Sequence, residues 1–164
     1  MQPWAAVRLF VALWPTQEVL DLLEGLTRPE TPGVRWTTRG QWHVTLRFLG
    51  EADPDETLAS LREAVAGFPP REVAMGPATD RLGRAVLMAP VAGADDLGAA
   101  LAPERPFVGH VTLARSRRKH IPDALLGQPV AATWTASSVA LVRSTLTPDG
   151  AVYDDVATIP LEGA

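Results

Sequence analysis

The sequence predicts an α+β fold with two similar lobes that are related by an approximate twofold axis around a central groove. Three observations support this prediction. The tetrapeptide His-Val-Thr-Leu occurs at residues 43–46 and again at residues 110–113. Each copy follows a segment with the pattern of a strand and then a segment with the pattern of a helix. No low-complexity linker divides the 164 residues, so we expect residues 1–164 to form a single two-lobed domain.

The first strand and the first helix are predicted close to the N-terminus. An apolar run at residues 7–13 stops before Pro15 and predicts a buried strand. Thr16 then offers a side-chain oxygen as an N-cap for a helix that carries valine and leucine between residues 19 and 26. Prolines and a glycine at residues 29–33 end this helix.

The first histidine motif lies on a predicted strand. Residues 34–37 and 41–49 have strand character and are joined through Arg39 and Gly40, and Gly50 is expected to close the second of these strands. Asp53, followed by a proline and then by Glu56, predicts a capped helix start, and the helix continues through leucines and a valine up to residue 65.

The second half partly repeats this order. We predict strands at residues 72–75 and 85–89, a helix at residues 95–101, and then the strand that holds the second motif. Two closing strands are predicted at residues 136–142 and 151–161, and the sequence Thr-Pro-Asp-Gly at residues 147–150 predicts a turn between them.

Composition limits the class of function. The formal net charge is -4, with 15 Lys and Arg against 19 Asp and Glu, which argues against a protein that coats nucleic acid electrostatically. The chain has no cysteine, so disulfides, thiolate metal sites and a cysteine nucleophile are excluded. Residues 1–14 lack the pattern of a signal peptide, and no apolar run approaches the ~20 residues of a membrane span. We therefore expect a soluble cytoplasmic protein, and a monomer.

The repeated motif carries residues suited to acid and base catalysis. Side chains alternate along a strand, so His43 and Thr45 share one face, and His110 and Thr112 do the same. Because a histidine titrates near neutral pH, one ring can accept a proton from a nucleophile while the other donates one to a leaving oxygen. The threonine hydroxyls can hold phosphoryl oxygens, and this chemistry needs no metal. By the same alternation Arg47 shares the His43 face and could reach the cleft, although an arginine that is simply exposed to solvent on a strand is equally expected.

Other residues have competing interpretations. The basic residues that follow the second motif could steer a phosphate or form a solvated loop; they are Arg115, Arg117, Arg118 and Lys119. Four aromatic residues could stack on a base, although packing in the core is the more common fate; they are Trp36, Trp42, Phe107 and Trp134. His120 lacks the motif context and is assigned to the surface. The chain has no His-Glu-x-x-His zinc motif and no Gly-x-Ser-x-Gly elbow.

The quoted residues resemble the two-histidine phosphoesterase superfamily, and within it the RNA 2′,3′-cyclic phosphodiesterases that are also called 2′-5′ RNA ligases. The similarity spans nearly the whole chain: residues 8–13, Arg35 with Trp36, residues 43–50, residues 110–115, residues 141–146, residues 148–150 and Tyr153. It departs at Gly109, where relatives often carry proline, and a glycine leaves the backbone before His110 less constrained.

The resemblance implies antiparallel sheets that line the cleft, with helices outside. It also implies metal-independent opening of a 2′,3′-cyclic phosphate on RNA or a nucleotide to a 2′-phosphate, with 2′-5′ ligation as a related activity. His43 would be the proton donor and His110 the base. Thr45, Thr112 and Arg115 would hold the phosphate. No cofactor, metal or membrane is implied.

Three other functions stay open on the sequence. One is a phosphodiesterase that acts on 2′-5′ oligonucleotides or on an ADP-ribose cyclic phosphate. Another is a non-catalytic module that binds RNA ends. The last is a protein-interaction domain with incidental histidines, which predicts no cleft.

Overall fold

The structure, a computed structural model, describes residues 7–163. The part of the N-terminal segment that precedes Val7, where the sequence shows no signal peptide, lies outside the described residues. Ten strands and three α-helices follow one another in the order β1 (Val7–Leu13), α1 (Gln17–Glu24), β2 (Val34–Trp36), β3 (Val44–Ala52), α2 (Pro54–Val65), β4 (Arg71–Met75), β5 (Asp80–Leu82), β6 (Val86–Ala92), α3 (Asp95–Leu101), β7 (His110–Ser116), β8 (Ala132–Ala136), β9 (Ser138–Thr147) and β10 (Gly150–Pro160).

The strands form a strongly curled, entirely antiparallel sheet. Its order is β10-β9-β1-β3-β7-β6-β4-β8, with β2 paired to β7 and β5 paired to β6. The first four strands of this order and the last four are the two halves of the predicted bilobal arrangement. They meet where β3 pairs with β7 through Val44 and Val111. The α+β class with a pseudo-twofold arrangement is thus confirmed.

The helices begin where the predicted caps lie. The Thr16 hydroxyl accepts a hydrogen bond from the backbone N–H of Val19 at the start of α1. The Asp53 carboxylate accepts from the N–H groups of Asp55 and Glu56 at the start of α2. Each cap satisfies backbone donors that have no partner inside the helix.

The two faces of the sheet have different partners. Leu9, Val11 and Leu13 of β1 belong to the large core that is shared with the helices, together with Val19 and Leu61. The alternate residues of the same strand face the concave side. There Phe10 and Ala12 form a small separate cluster with Ala140 and Val142, against which Trp14 and Tyr153 pack. Alternation along one strand therefore builds both the core and the floor of the cleft.

Several element predictions need correction. The strand that holds the first motif continues past Gly50 to Ala52, because Gly50 itself pairs with Leu9. β2 pairs with β7 of the other half and not with β3, from which residues 39–41 separate it as a 3₁₀ turn. The short strands β5 and β8 were not predicted. No helix among residues 7–163 is long and apolar enough to cross a membrane.

Candidate active site

The two histidine motifs meet at the centre of the sheet. Val44 and Val111 are directly paired across β3 and β7. In an antiparallel pair, continuing this register sets Thr45 towards His110 and Thr112 towards His43. The axis that relates the two motifs therefore passes through the valine pair, and each histidine lies near the threonine of the other motif.

The His43 ring is held in a single orientation. Its Nδ1 lies 2.8 Å from the carbonyl oxygen of Gln41, which can only accept, so Nδ1 carries the proton and donates it. In the neutral ring Nε2 then has a lone pair, which accepts from the Thr45 hydroxyl at 2.8 Å. The short 3₁₀ turn before β3 supplies this carbonyl, so local backbone structure fixes the tautomer.

Aromatic rings enclose His43. The ring centroids of Phe10, Trp14 and Tyr153 lie 4.8, 5.6 and 5.3 Å from that of His43. Burial lowers the pKa of His43 to about 4, and the positive charges of His110 and Arg115 contribute in the same direction. Burial also raises the pKa of Tyr153. His43 is therefore neutral at neutral pH in the free protein.

His110 is held by the same kind of backbone contact in a more open position. Its Nδ1 donates to the carbonyl oxygen of Val108 at 2.7 Å, which directs Nε2 away from that carbonyl. Gly109, between Val108 and His110, is tightly packed against β6. A Cβ at this position would overlap the carbonyl oxygen of Val91, and the backbone N–H of Val91 donates to the Gly109 carbonyl at 2.9 Å. The close approach of β6 constrains the backbone that glycine alone would leave free.

A bulge in β3 changes which side chains face the cleft after Thr45. Ala12 pairs with Thr45 and Val11 pairs with Arg47, so Leu46 is an extra residue on this strand. Arg47 consequently shares the core-facing side of Val11. It donates to the carbonyl oxygen of Leu101, and its Nη2 lies 3.6 Å from the Glu104 carboxylate. Arg47 therefore leaves the face that strict alternation gave it, although it still lines a smaller groove that adjoins the cleft, together with Thr45 and His110, and its role in binding substrate stays a prediction.

Phe48 takes the place in the cleft that alternation assigned to Arg47. It pairs with Phe10 on the concave side, its ring centroid lies 6.1 Å from that of Phe10, and its side chain is 65% exposed. Sequence reasoning missed this residue. The signal that could have found it is a large aromatic in an exposed strand position, but the bulge that turns it into the cleft is not visible in the sequence.

An equivalent bulge in β7 brings Arg115 into the cleft. Met88 pairs with Thr112 and Leu87 pairs with Ala114, so Leu113 is the extra residue. Arg115 then pairs with Val86, and both line the cleft together with Thr112. Phe48 and Arg115 therefore hold the same position, five residues after the histidine of their motif.

The cleft has a volume of about 440 Å³ and contains most of the predicted site residues. His43, Thr45, His110, Thr112 and Arg115 all line it. Its remaining walls come from β2 and the segment that follows it, from Phe48 of β3, from β5 and β6, and from the β10 hairpin. The residues of these walls are Arg35, Trp36, Thr37, Gln41, Phe48, Leu82, Val86, Gly150, Ala151 and Tyr153. A smaller groove of about 280 Å³ adjoins it and shares Thr45, Phe48, Leu82 and His110.

The other candidates divide between core and surface. Trp42 and Trp134 are only 1% and 5% exposed, so neither can stack on a ligand. Trp36 lines the cleft, and Phe107 lines the adjoining groove. His120 is exposed, as assigned. The basic residues beyond Arg115 are exposed and do not line the cleft; they are Arg117, Arg118 and Lys119.

Across residues 7–163 no group of three His, Cys, Asp or Glu side chains is arranged to hold a metal ion.

A family model described as LigT like phosphoesterase matches residues 13–78, which include the first motif. A solved structure of TT0787 from Thermus thermophilus has 26% sequence identity to the chain and a TM-score of 0.80, covering 95% of this chain and 98% of that one. Residues 13–78 of the chain are thus similar in sequence to LigT-like phosphoesterases, and the chain as a whole shares the fold of TT0787. Both histidine motifs of the chain contribute side chains to one cleft.

Solved structures of Escherichia coli LigT share the same fold. Escherichia coli LigT complexed with NADP+ is 22% identical with a TM-score of 0.74, and the match covers 95% of this chain and 98% of that one. Escherichia coli LigT complexed with 3′-AMP is 21% identical with a TM-score of 0.73, at 96% and 98% coverage. A search of the curated proteins finds no match.

Proposed function

We propose that this protein is a two-histidine phosphoesterase that hydrolyses 2′,3′-cyclic phosphates of RNA ends or nucleotides to 2′-phosphates, without a metal, through His43 and His110. The single observation that carries the proposal is the convergence of both imidazoles, each fixed through Nδ1 to a backbone carbonyl, on one cleft. Structures of E. coli LigT with NADP+, ATP, 3′-AMP and phosphate support a nucleotide or a phosphate as the occupant of an equivalent cleft here.

The chemistry is one in-line displacement at phosphorus. His110 Nε2 takes a proton from a water molecule, and the water oxygen forms a new bond to phosphorus. The bond between phosphorus and O3′ breaks, and O3′ receives a proton from His43 Nε2. The products are a 3′-hydroxyl and a 2′-phosphate, and atoms and charges balance. A 5′-hydroxyl of a second RNA in place of water would give a 2′-5′ linkage by the same step.

The donor role places a condition on His43. Its pKa of about 4 keeps the ring neutral in the free protein, so the negative charge of the bound phosphate has to raise that pKa before His43 can donate. Once Nε2 carries a proton, it no longer accepts from Thr45. The Thr45 hydroxyl is then able to donate to a phosphoryl oxygen. Thr112 and Arg115 complete the phosphate site from the opposite strand.

Phe48 is proposed to contact the nucleoside. It is the most exposed aromatic side chain on the cleft wall and lines both the cleft and the adjoining groove. An aromatic face beside a phosphate site suits stacking of a base, which tolerates any base identity.

The test is incubation with each 2′,3′-cyclic nucleotide, and with RNA that ends in a cyclic phosphate, in excess chelator. The expected product is the 2′-monophosphate. A 3′-phosphate product, or no turnover on any of these substrates, would contradict the proposal. The same product analysis applied to 2′-5′ oligonucleotides and to an ADP-ribose cyclic phosphate separates the alternative substrates, and tight binding without turnover would identify a non-catalytic module.

A further inference from the structure

Two arginines lie directly opposite each other in the cleft wall. Arg35 of β2 pairs with Arg115 of β7, and both side chains line the cleft. Like charges in directly opposed strand positions repel each other. An anion bound beside either guanidinium group would offset this repulsion.

Carboxylates do not offset this charge. Within residues 7–163 neither Arg35 nor Arg115 takes part in an ion pair with Asp or Glu. The contact that anchors Arg35 is donated from Nη2 to the carbonyl oxygen of Asp149, which carries no formal charge. Several N–H donors of each guanidinium remain for an anionic ligand.

The β9–β10 turn is shaped to receive Arg35. Gly150 has φ of +118°, and a Cβ at this position would lie 2.8 Å from Nη2 of Arg35. The next residue, Ala151, accepts a hydrogen bond from the Gln41 side chain at 3.0 Å. The turn thus holds the guanidinium beside the cleft, at a point where a larger residue would push it away.

The two arginines are held by different parts of the cleft wall. Arg115 lies on the strand of the second motif, where it lines the cleft with His110 and Thr112, and its charge contributes to the lowered pKa of His43. Arg35 is fixed at the β9–β10 turn through Asp149, beside Trp36. One ribose separates the 2′,3′-phosphate of a nucleotide from its 5′-phosphate, and the cleft of about 440 Å³ extends over both arginines.

We propose that Arg35 binds a second phosphate of the substrate, the one on the 5′ carbon of the nucleotide that carries the cyclic phosphate. This inference rests on the proposed function and narrows its substrate class. The preferred substrate is an oligonucleotide end or a 5′-phosphorylated nucleotide, and a nucleoside cyclic phosphate that lacks a 5′-phosphate leaves Arg35 without its anion.

Calorimetric titration tests the proposal without turnover. Adenosine 2′-phosphate and adenosine 2′,5′-bisphosphate are titrated into the wild type, Arg35→Gln and Arg143→Gln. Arg143 is a matched control, because it is half-exposed, is paired with Asp154 and does not line the cleft. The wild type and Arg143→Gln should bind the bisphosphate about 10- to 100-fold more tightly, and Arg35→Gln should lose this preference.

Equal affinity of the wild type for both ligands would overturn the proposal, and so would an unchanged preference of Arg35→Gln for the bisphosphate. An equal loss for both ligands would also contradict it, because Arg35 would then act on the 2′-phosphate or on the fold. Arg35→Lys keeps a charge but not the planar donor geometry, and it should retain part of the preference. If Arg35→Gln fails to unfold cooperatively, Arg35→Lys takes its place in the titration.

Turnover separates this proposal from the proposed function. Adenosine 2′,3′-cyclic phosphate with and without a 5′-phosphate should differ in KM for the wild type, and Arg35→Gln should remove the difference. If the wild type hydrolyses neither compound, the proposed function fails. The titration still decides whether Arg35 recognises a 5′-phosphate.

Discussion

The two halves of the cleft carry the same tetrapeptide in different surroundings. His43 is enclosed by Phe10, Trp14 and Tyr153, and its Nε2 accepts from Thr45. His110 lies in the more open half, where its ring is fixed only through Nδ1. The backbone gives both rings the same tautomer, while burial lowers the pKa of His43. Duplication of a motif therefore supplies the geometry, and the surroundings decide the protonation state.

The comparison extends beyond the histidines. Each motif strand contains a bulge just after its threonine, and each bulge turns the residue five places after the histidine into the cleft. In one half this residue is Phe48, and in the other it is Arg115. One half of the site is thus suited to a base and the other to a charge, although the backbone devices are the same.

The largest expected effect comes from removing either histidine. His43→Ala and His110→Ala should each lower kcat on a cyclic nucleotide by about 10²- to 10⁴-fold, as loss of a general acid or base does. A phosphodiester with a p-nitrophenyl leaving group needs no proton donor. His43→Ala should therefore regain much of its activity on that substrate, and His110→Ala should not. Equal rescue of both variants would contradict the division of roles.

Arg115 and Arg47 form the next comparison. Arg115→Gln should lower kcat/KM by about 10- to 1000-fold, because it removes a charge from the phosphate site. Arg47→Gln should leave kcat close to that of the wild type and lower the free energy of unfolding by about 1–2 kcal/mol, because it removes the hydrogen bond to the carbonyl oxygen of Leu101 as well as the solvent-exposed ion pair with Glu104. Steady-state kinetics give kcat and KM of each variant, and urea unfolding gives its free energy of unfolding. The opposite ranking would contradict the assignment of Arg47 to the core-facing side of β3.

A smaller effect is expected at Phe48. Phe48→Ala should raise KM for a cyclic nucleotide by about 5- to 100-fold, the usual range for a lost base stack. Hydrolysis of glycerol 1,2-cyclic phosphate, which has no base, provides the comparison substrate, and Val156→Ala is a control on an exposed apolar side chain outside the cleft. A Phe48→Ala variant that loses activity equally on both substrates would show that Phe48 does not bind the base.

The smallest effect is a pH dependence of stability. His43 has a pKa of about 4 in the folded protein and near 6.5 when unfolded, so below pH 6.5 the unfolded state binds more protons. Stability from this group is full above pH 6.5 and is lost as the pH falls towards 4. His43→Gln should therefore show a shallower loss of thermal midpoint over this interval. His120→Gln, at an exposed position, should follow the wild type; equal slopes in all three proteins would contradict the buried state of His43.

Much of the fold could be predicted from local sequence signals. The bounds of β1 and α3 and the caps at Thr16 and Asp53 follow from apolar runs and from residues that satisfy helix-end N–H groups. The pairing of β2 with β7 could not be predicted, because it joins segments about eighty residues apart and depends on how the halves curl.

The site could also be predicted in part, from signals that lie within single strands. Repetition singled out His43 and His110 as candidates, and alternation placed each threonine beside its histidine; the structure brings all four residues to one cleft. Strict alternation failed at Arg47 and missed Phe48, because a bulge at Leu46 inserts one residue and reverses the side chains that follow it, up to a second bulge at Leu49. The aromatic enclosure of His43 also escaped prediction, since Phe10 and Tyr153 come from strands at opposite ends of the chain.

A crystal structure of the protein with adenosine 2′-phosphate tests the central claim most directly. We expect Nε2 of His43 and Nε2 of His110 to lie within about 2.6–3.2 Å of two different oxygens of one phosphate, with the Nδ1 contacts to Gln41 and Val108 unchanged. A phosphate that contacts only one of the two rings, or that binds elsewhere on the protein, would contradict the account.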